Sequence, residues 1–404
     1  MREQPEHKAV IGGMGQSDVG RRLHRDPLEL TLDAVLAAIA DAGLTTADID
    51  GLATYPGPMD NPRGFSGAGA VDVIDALRLN VNWYGSGIET SGQAGSVMSA
   101  IMAVAFGLAN HVVCFRSVWE GSAQGDKGRA AVMPGAGSGS TDGIPRVSGF
   151  IEWELPFAAP SAAIWIAQFA SAHMARYGTT SEQLAQIAIN ARKNAGLNPK
   201  AIYRDPMTLD DYFASRIITT PFRLFDCDAP CDGATAFVIS SAARAGDLRR
   251  PPVRIEAIGA ALHGRPSWDQ YADLTTMPMR DAGAQLWTRT DLTPADVQFA
   301  QLYDGFSFLT MSWMESLQLV PVGESGPFIE SGANIARESG VLPINTHGGQ
   351  LSAGRLHGYG FLHEACTQLW GEGGERQIPG SPEVGICGIG GGNTCGALLL
   401  TGPR

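Results

Sequence analysis

The chain has 404 residues, a formal net charge of −12 and 51 glycines. So acidic a chain lacks the basic surface that displaces counterions from phosphates, which argues against non-specific nucleic-acid binding and still permits an anionic small ligand held by local Arg, Lys or helix N-termini. The length points to two domains or two fused halves, residues 1–26 hold no apolar run of signal-peptide length, and no stretch reaches the roughly 18 apolar residues of a membrane helix, so a cytoplasmic protein is expected.

Ala9 to Gly15 reads as a short buried strand running into a glycine turn. Leu28, Leu32, Val35, Leu36 and Ile39 recur at helical spacing over 27–42, and Gly43 is placed to end that helix. A polar turn at 45–50 leads to a second strand at 51–55. Residues 91–107 read as a helix and 111–115 as a strand, whereas 121–149, rich in Gly, Ser and Ala, reads as loops. Thr180 and Gln183 form a capping-box pattern that opens a helix with Leu184, Ile187, Ala188 and Ala191 on one face. A further helix start is expected over 210–217. A turn then feeds a buried strand within 225–240, the basic passage 242–250 is the best boundary between halves, and 253–258 starts the second half as a strand.

Residues 43–55 (GLTTADIDGLATY) and 291–303 (DLTPADVQFAQLY) align without a gap and share Leu, Thr, Ala, Asp and Tyr. A second echo follows in the same order: helix 91–107 with strand 111–115, and helix 355–370 with strand 383–387. Two ordered echoes indicate a duplicated α/β unit. The expected division is 1–245, including a loop excursion at about 118–220, and 246–404. Alternating strands and helices favour an α/β fold with covered sheets.

Four places carry candidate chemistry. Thr90 and Ser91 stand at a loop-to-helix junction, where unpaired N–H groups favour an oxyanion or a nucleophile, and where simple N-capping is the alternative. Tyr303 ends the repeated strand beside Asp304, and a tyrosine there can donate to a carbonyl or act as a base; buried packing is the alternative. The stretch 343–365 gathers His347, His357 and His363 with Arg355 and five glycines, a composition suited to proton transfer and to close backbone approach. Cys387 precedes Gly390 and Gly391, where the backbone can approach a ligand, and its thiol reads as an acid/base or as strand core. Cys227 and Cys231 lack a second nearby pair, and His363-Glu364 lacks the second His of a zinc-protease helix, so no metal is expected.

These motifs together resemble the thiolase superfamily along nearly the whole chain. GMGQSDVGRR at 13–22, EQLAQIAINARKNAGLNP at 182–199 and LFDCDAPCDGATAFVIS at 224–240 are similar to its sterol carrier protein-type and bacterial lipid-transfer-protein branches. YDGF at 303–306, NTHGGQLSAGR at 345–355 and CGIGGG at 387–392 stand where the superfamily has its catalytic loops. The resemblance implies two similar halves stacked as five α/β/α/β/α layers, a homodimer, and acyl-CoA thioester substrates, with coenzyme A as part of the substrate and no separately bound cofactor.

The departures narrow the chemistry. No cysteine lies near Thr90 or Ser91, Arg355 replaces the expected histidine, and Cys387 sits one residue further from the glycines than the family cysteine. The pattern resembles the branch of aldolases that cleave β-hydroxyacyl-CoA side chains such as those of steroids. These lack the nucleophile, use tyrosines and work with a small partner carrying an OB-fold and a zinc ribbon. Tyr303 matches one such tyrosine; the second would fall near Arg355, with Tyr359 the nearest substitute. The leading expectation is retro-aldol cleavage: Tyr303 or a histidine takes the β-hydroxyl proton, N–H groups near Ser91 and at Gly390 and Gly391 hold the thioester oxygen, and Arg355 lowers the pKa of a neighbouring Tyr or His. The alternatives are acyl transfer through Ser91, Thr90 or Cys387, and a non-catalytic ligand-carrying scaffold.

Overall fold

A 3-10 turn at Pro5–Lys8 leads into strand β1 (Ala9–Gln16). Helix α1 (Pro27–Asp41) starts because the Asp26 carboxylate accepts from Leu28 N at 2.8 Å and Pro27 presets its φ. It stops at Gly43, whose φ of +79° suits glycine. Then come β2 (Gly51–Thr54), α2 (Ala70–Leu77), β3 (Trp83–Ser86), α3 (Ala94–Ala105) and β4 (His111–Trp119). An excursion carries α4 (Glu120–Gln124), α5 (Ala162–Tyr177), α6 (Ser181–Ala195), α7 (Leu209–Ala214) and the short pair β5 (Ile217–Thr219) and β6 (Phe222–Arg223). The chain returns through β7 (Asp232–Ser241) to β8 (Val253–Gly259), α8 (Met279–Trp287), β9 (Phe299–Leu302), α9 (Ser307–Ser316), α10 (Ser325–Ile329), α11 (Tyr359–Leu369), β10 (Val384–Gly391) and β11 (Thr394–Thr401). This is a computed structural model, and it describes residues 4–59, 63–125, 154–159, 161–263, 271, 273–392 and 394–403.

Nine strands form one mixed sheet in the order β3-β2-β4-β7-β1-β8-β11-β10-β9. From β1 outward the neighbours are β7, β4, β2 and β3; from β8 outward they are β11, β10 and β9, followed by a parallel bridge from Ala300 to Ile344. β2 runs parallel to β3 and β4, as β9 does to β10. The seam between the two sets is short, joining Val10 to Arg254 and Ile11 to Val253. The echo at 43–55 and 291–303 lands on matching structure. Thr45 binds Asp48 through N and Oγ1 at 2.8 and 2.7 Å, and Thr293 binds Asp296 in the same way at 2.7 Å each; both turns feed a parallel strand.

Side-chain alternation along the strands builds the layers. Val112 and Cys114 of β4 join a core shared by α3 and α11, whereas Val113 and Phe115 join a core with α1 and α2. On the other side Leu398 and Leu400 of β11 enter the α3–α11 core, and Ala397 and Leu399 face α8 and α9. The order is thus helix, sheet, the α3–α11 pair, sheet, helix: the five layers that the resemblance implies. A bulge at Glu256, where Leu399 pairs with Ala257 and Leu400 with Ile255, reverses the alternation of β8, so Val253 and Ile255 face the middle layer and Ala257 the outer one.

Several local expectations differ from what is seen. α3 begins at Ala94, not 91, and α11 at Tyr359, not 355. Residues 120–124 extend the end of β4 as a helix, 121–124 of them where a loop is read from the sequence, because Asp232 accepts from Ser122 N at 2.9 Å and anchors the turn; residues 126–149 of the loop reading, and 150–153 and 160 of the excursion, lie outside the described residues. The passage 242–247 is a 3-10 helix. The glycine run at 390–391 is the tip of the β10–β11 hairpin, not an open loop.

Glu6 is fully buried and fastens the first turn to the far set of strands: Arg289 donates to it from two nitrogens, one at 2.6 Å. Burial pushes the Glu6 carboxyl up, but the Arg289 bonds and backbone N–H groups outweigh it and the value ends below the ordinary one. Stability from this group is present above the unfolded carboxylate range and fades as pH falls through the folded value. Glu6→Ala is expected to cost roughly 3 kcal/mol, the low end for a broken buried pair because Arg289 keeps some exposure. Urea unfolding at pH 7 checks the loss, and the difference from wild type should shrink below about pH 4.

Candidate active site

Tyr303 stands at the carboxyl end of β9, and Tyr55 stands at the carboxyl end of β2. In open α/β sheets ligands bind at such ends. Ala53, two residues before Tyr55, faces the α3–α11 layer, and Tyr303 joins the core that β9 shares with α8, α9 and Phe361 of α11. Tyr303 is 8% exposed and Tyr55 6%. The Tyr303 ring leans on Phe361 of α11 at 5.9 Å between centroids. Gly305 makes room for it: a Cβ there would lie 2.7 Å from Tyr303 Cε1. Burial pushes the Tyr303 phenol up to about 12, with Arg355 pulling it down and Asp228 opposing that pull. Arg355 acts on the phenol in the expected, lowering direction, but desolvation by burial outweighs it and the net value is raised.

Arg355 is clamped between two carboxylates. Its Nη1 donates to Glu120 at 2.9 and 3.1 Å, and its Nε lies 2.8 Å from Asp228 Oδ2. Burial alone would lower its pKa, but Asp228 and Glu120 raise it above the ordinary arginine value. Glu120 opens α4, held where Asp232 anchors Ser122 and Leu23. Asp228 lies on a strap laced to the site by Asp228 N to Gly305 O at 3.1 Å, Ala229 N to Gln350 O at 3.0 Å and Arg355 N to Ala229 O at 2.9 Å.

Behind this clamp lies a second buried cation. Arg116 of β4 is 1% exposed and donates to Ser117 O at 2.6 Å, to Phe65 O, and to His357 Nδ1 at 2.6 Å. Burial lowers it to about 10. A donor on Nδ1 leaves the His357 proton on Nε2, which faces Glu120 Oε2 at 3.9 Å. Phe65 packs against His357 at 4.7 Å and under the Arg116 guanidinium at 4.8 Å. Two guanidinium groups and two carboxylates thus balance in a water-poor pocket beside the phenols.

The glycine-rich stretch supplies the floor. Residues Gly349–Ala353 form a π-turn, a feature that often marks functional sites. Asp304 caps this turn, accepting from Gln350 N at 2.7 Å, with Asn345 Nδ2 at 3.3 Å. A Cβ on Gly349 would meet Asp304 Oδ2 at 1.8 Å, and Gly349 has φ of +59°, so only glycine fits. Burial pushes Asp304 up to about 8. Asp304 is thus bonded to the loop and not to Tyr303. Gln350 lies beside Tyr303, where it lowers the phenol slightly, and its Oε1 accepts from His357 N at 3.1 Å.

The remaining candidates fall elsewhere. His347 lies behind Phe361, edge-on at 5.2 Å, in a small cavity with Gln350, Asn198 and Lys200, and burial lowers it to about 3, so it is neutral. His363 is lowered to about 3 for the same reason. Thr90 and Ser91 line an open groove of about 480 Å³ with Trp83, Met98 and Phe106, and the Thr90 hydroxyl donates to Gly92 O at 2.9 Å. They approach the β10–β11 hairpin: a Cβ on Gly92 would lie 3.1 Å from Thr394 O. Gly390 O accepts from Trp313 Nε1 at 2.8 Å, and Gly391 pairs with Thr394. Cys387 is fully buried in the α3–α11 core, and burial pushes its thiol up. The Tyr359 hydroxyl is bonded to Ser96 at 2.7 Å. Among the described residues no group of three or more His, Cys, Asp or Glu is arranged for a metal ion, and no helix is long and apolar enough to cross a membrane.

Sequence reasoning missed Tyr55, Arg116, Glu120, Asp228 and Gln350. One signal was available: Tyr55 is the repeat partner of Tyr303 in the aligned segments.

Comparison with known proteins shows the family of the chain. Residues 260–399 match the family model for a thiolase C-terminal domain-like region. The chain is 37% identical over 370 residues to a steroid side-chain-cleaving aldolase of Thermomonospora curvata, covering 90% of each. It is also 37% identical to the 17-hydroxy-3-oxo-4-pregnene-20-carboxyl-CoA lyase of Mycobacterium tuberculosis, covering 90% of this chain and 92% of that one. The solved structure of an Ltp2–ChsH2(DUF35) aldolase superposes with a TM-score of 0.84 at 33% identity over 98% of each chain. Human mitochondrial 3-ketoacyl-CoA thiolase shares the fold, with a TM-score of 0.69 at 12% identity. The chain belongs to the thiolase superfamily and, within it, to the lipid-transfer-protein family that holds the steroid side-chain-cleaving aldolases.

Proposed function

We propose that the chain is an acyl-CoA-dependent carbon–carbon lyase that cleaves a β-hydroxyacyl-CoA by a retro-aldol reaction. The observation that carries this reading is a buried tyrosine at the end of β9, beside a carboxylate-clamped arginine, in a thiolase frame with no cysteine at the start of α3. Tyr303 takes the β-hydroxyl proton. The O–H electron pair becomes the new carbonyl, the Cα–Cβ bond breaks, and its electrons pass to the thioester as an enolate, which is then protonated at Cα. N–H groups near Ser91 and the glycines of the β10–β11 hairpin are the donors we assign to the thioester oxygen. Coenzyme A enters as part of the substrate. Asp304 holds the glycine-rich loop beside Tyr303, Gln350 ties that loop to His357 N, and His347 packs behind Phe361.

A steroid side chain or a similar bulky acyl group is the substrate we favour, because of the relatives' activities. Retro-aldol cleavage of 17-hydroxy-3-oxo-4-pregnene-20-carboxyl-CoA, the substrate named for one of them, yields a 17-ketone and propionyl-CoA. A small partner of the OB-fold and zinc-ribbon kind fits with the Ltp2–ChsH2(DUF35) relative. Homodimer formation is supported by β3, an edge strand among the described residues, where Tyr84 is 60% exposed. We also read the chain as two duplicated halves that meet near residue 246. Acyl transfer has less support, since Cys387 is buried in the core and the Thr90 hydroxyl is already bonded to the backbone.

Purified protein is tested with that steroid thioester and a panel of β-hydroxyacyl-CoAs, alone and with a partner. Failure to cleave any of them in either state defeats the reading. Tyr303→Phe keeps the ring contact with Phe361 and is expected to lower kcat/KM by about 10²–10⁴. The pH profile is a separate check. A phenol pushed up to about 12 is almost wholly protonated at neutral pH, and its phenolate increases with pH, so kcat/KM should climb about tenfold per unit from roughly pH 7 to 9. A plateau below pH 8 would assign the base to another group.

A further inference from the structure

We propose that Tyr55 is the acid that protonates the enolate carbon, so that proton removal and proton return are divided between two phenols. This rests on the retro-aldol reading and deepens it. The reaction needs two proton movements at different atoms: one from the β-hydroxyl oxygen and one to Cα. If Tyr303 serves the first, a second proton-bearing group must face the other side of the breaking bond.

The fold supplies that group by repetition. Tyr55 and Tyr303 occupy the same place in the aligned segments 43–55 and 291–303. Each follows a parallel strand: Tyr55 comes two residues after Ala53, which faces the α3–α11 layer, and the Tyr303 ring packs against Phe361 of α11. Tyr55 lies with its ring 5.7 Å from the Arg116 guanidinium, and both it and Tyr303 feel the charge of Arg355. A charge on Tyr55 is also felt at Tyr303, where it raises the phenol slightly. Tyr359, the substitute that the sequence offers, is occupied by Ser96. Glu120 and Asp228 are occupied by Arg355, and Asp304 by backbone N–H groups. Burial holds the Tyr55 phenol above its ordinary value, so it carries its proton at neutral pH.

The balance closes without a further reagent. The phenol O–H proton of Tyr55 forms the new Cα–H bond, and the enolate electron pair supplies it. Tyr55 is left as phenolate near Arg116 and Arg355, and Tyr303 holds the proton taken from the substrate. Exchange with solvent restores both.

By microscopic reversibility, Tyr55 phenolate also removes an α-proton from the product thioester. The test is deuterium uptake into propionyl-CoA in heavy water, followed by mass spectrometry beside steroid-thioester cleavage. Wild type is expected to do both. Tyr55→Phe should lose exchange by about 10²-fold or more, with the Kd for propionyl-CoA unchanged, whereas Tyr303→Phe should lose cleavage and keep exchange. Wild-type exchange by Tyr55→Phe, or cleavage by wild type without any exchange, overturns the assignment. Absence of cleavage by wild type defeats the retro-aldol reading itself and this assignment with it. Should Tyr55→Phe misfold, 3-fluorotyrosine at position 55 keeps the ring and the hydroxyl. Its lower phenol pKa should move the exchange profile to lower pH, and an unmoved profile again overturns the assignment.

Discussion

The site depends on one ionic arrangement: the Arg355 guanidinium held between Glu120 and Asp228. A lone guanidinium in that pocket would be costly to desolvate, and so would either carboxylate. Held together, they charge-balance one another and pin three parts of the chain, since Glu120 opens α4, Asp228 lies on the strap before β7 and Arg355 follows the π-turn. A buried cluster of this kind contributes less to stability than to placement. It sets the distance between the glycine-rich loop and the excursion, and therefore the shape of the pocket around Tyr303. The same neutralisation explains why Arg355 does not make Tyr303 acidic: Asp228 cancels part of its field, and burial supplies the larger effect.

The sheet does the rest of the positioning. Two sets of strands with the same neighbour order meet along β1 and β8, and α3 and α11 fill the layer between their inner faces. Tyr55 and Tyr303 follow the parallel strands β2 and β9, the first beside Arg116 and both within the field of Arg355. In a thiolase, a cysteine near the start of α3 would form an acyl-enzyme. This chain has a loop of Thr90 and Ser91 there, and its ionisable groups gather instead at the strand ends.

Much of this was legible in the sequence, and the reason is periodicity. α1 and α6 have the helical apolar pattern that burial demands, β8 alternates, β1, β2, β7 and β10 read as short runs buried on both faces, and Thr180 with Gln183 marked the start of α6 as a capping pair. The paired turns at Thr45 and Thr293 made the repeat visible. What was not legible depends on contacts between distant segments. Arg116 sits in a run of apolar strand residues and finds its partners at Phe65 and His357. Glu120 stands one residue before a stretch that composition assigns to loops, and its partner Arg355 is far away in the chain. The π-turn at Gly349–Ala353 exists because Asp304 caps it from another element, which no local pattern announces. Tyr359 looked like a second tyrosine because it is near Arg355 in sequence, but helix α11 turns its hydroxyl to Ser96.

The most direct measurement is the identity of the products when the purified protein, with and without a partner, meets 17-hydroxy-3-oxo-4-pregnene-20-carboxyl-CoA. A site without an acyl-enzyme step predicts a 17-ketosteroid and propionyl-CoA in equal amounts, with the thioester intact and no mass added to the protein. Free coenzyme A, or an acyl group carried on the chain, in place of those two products would contradict it.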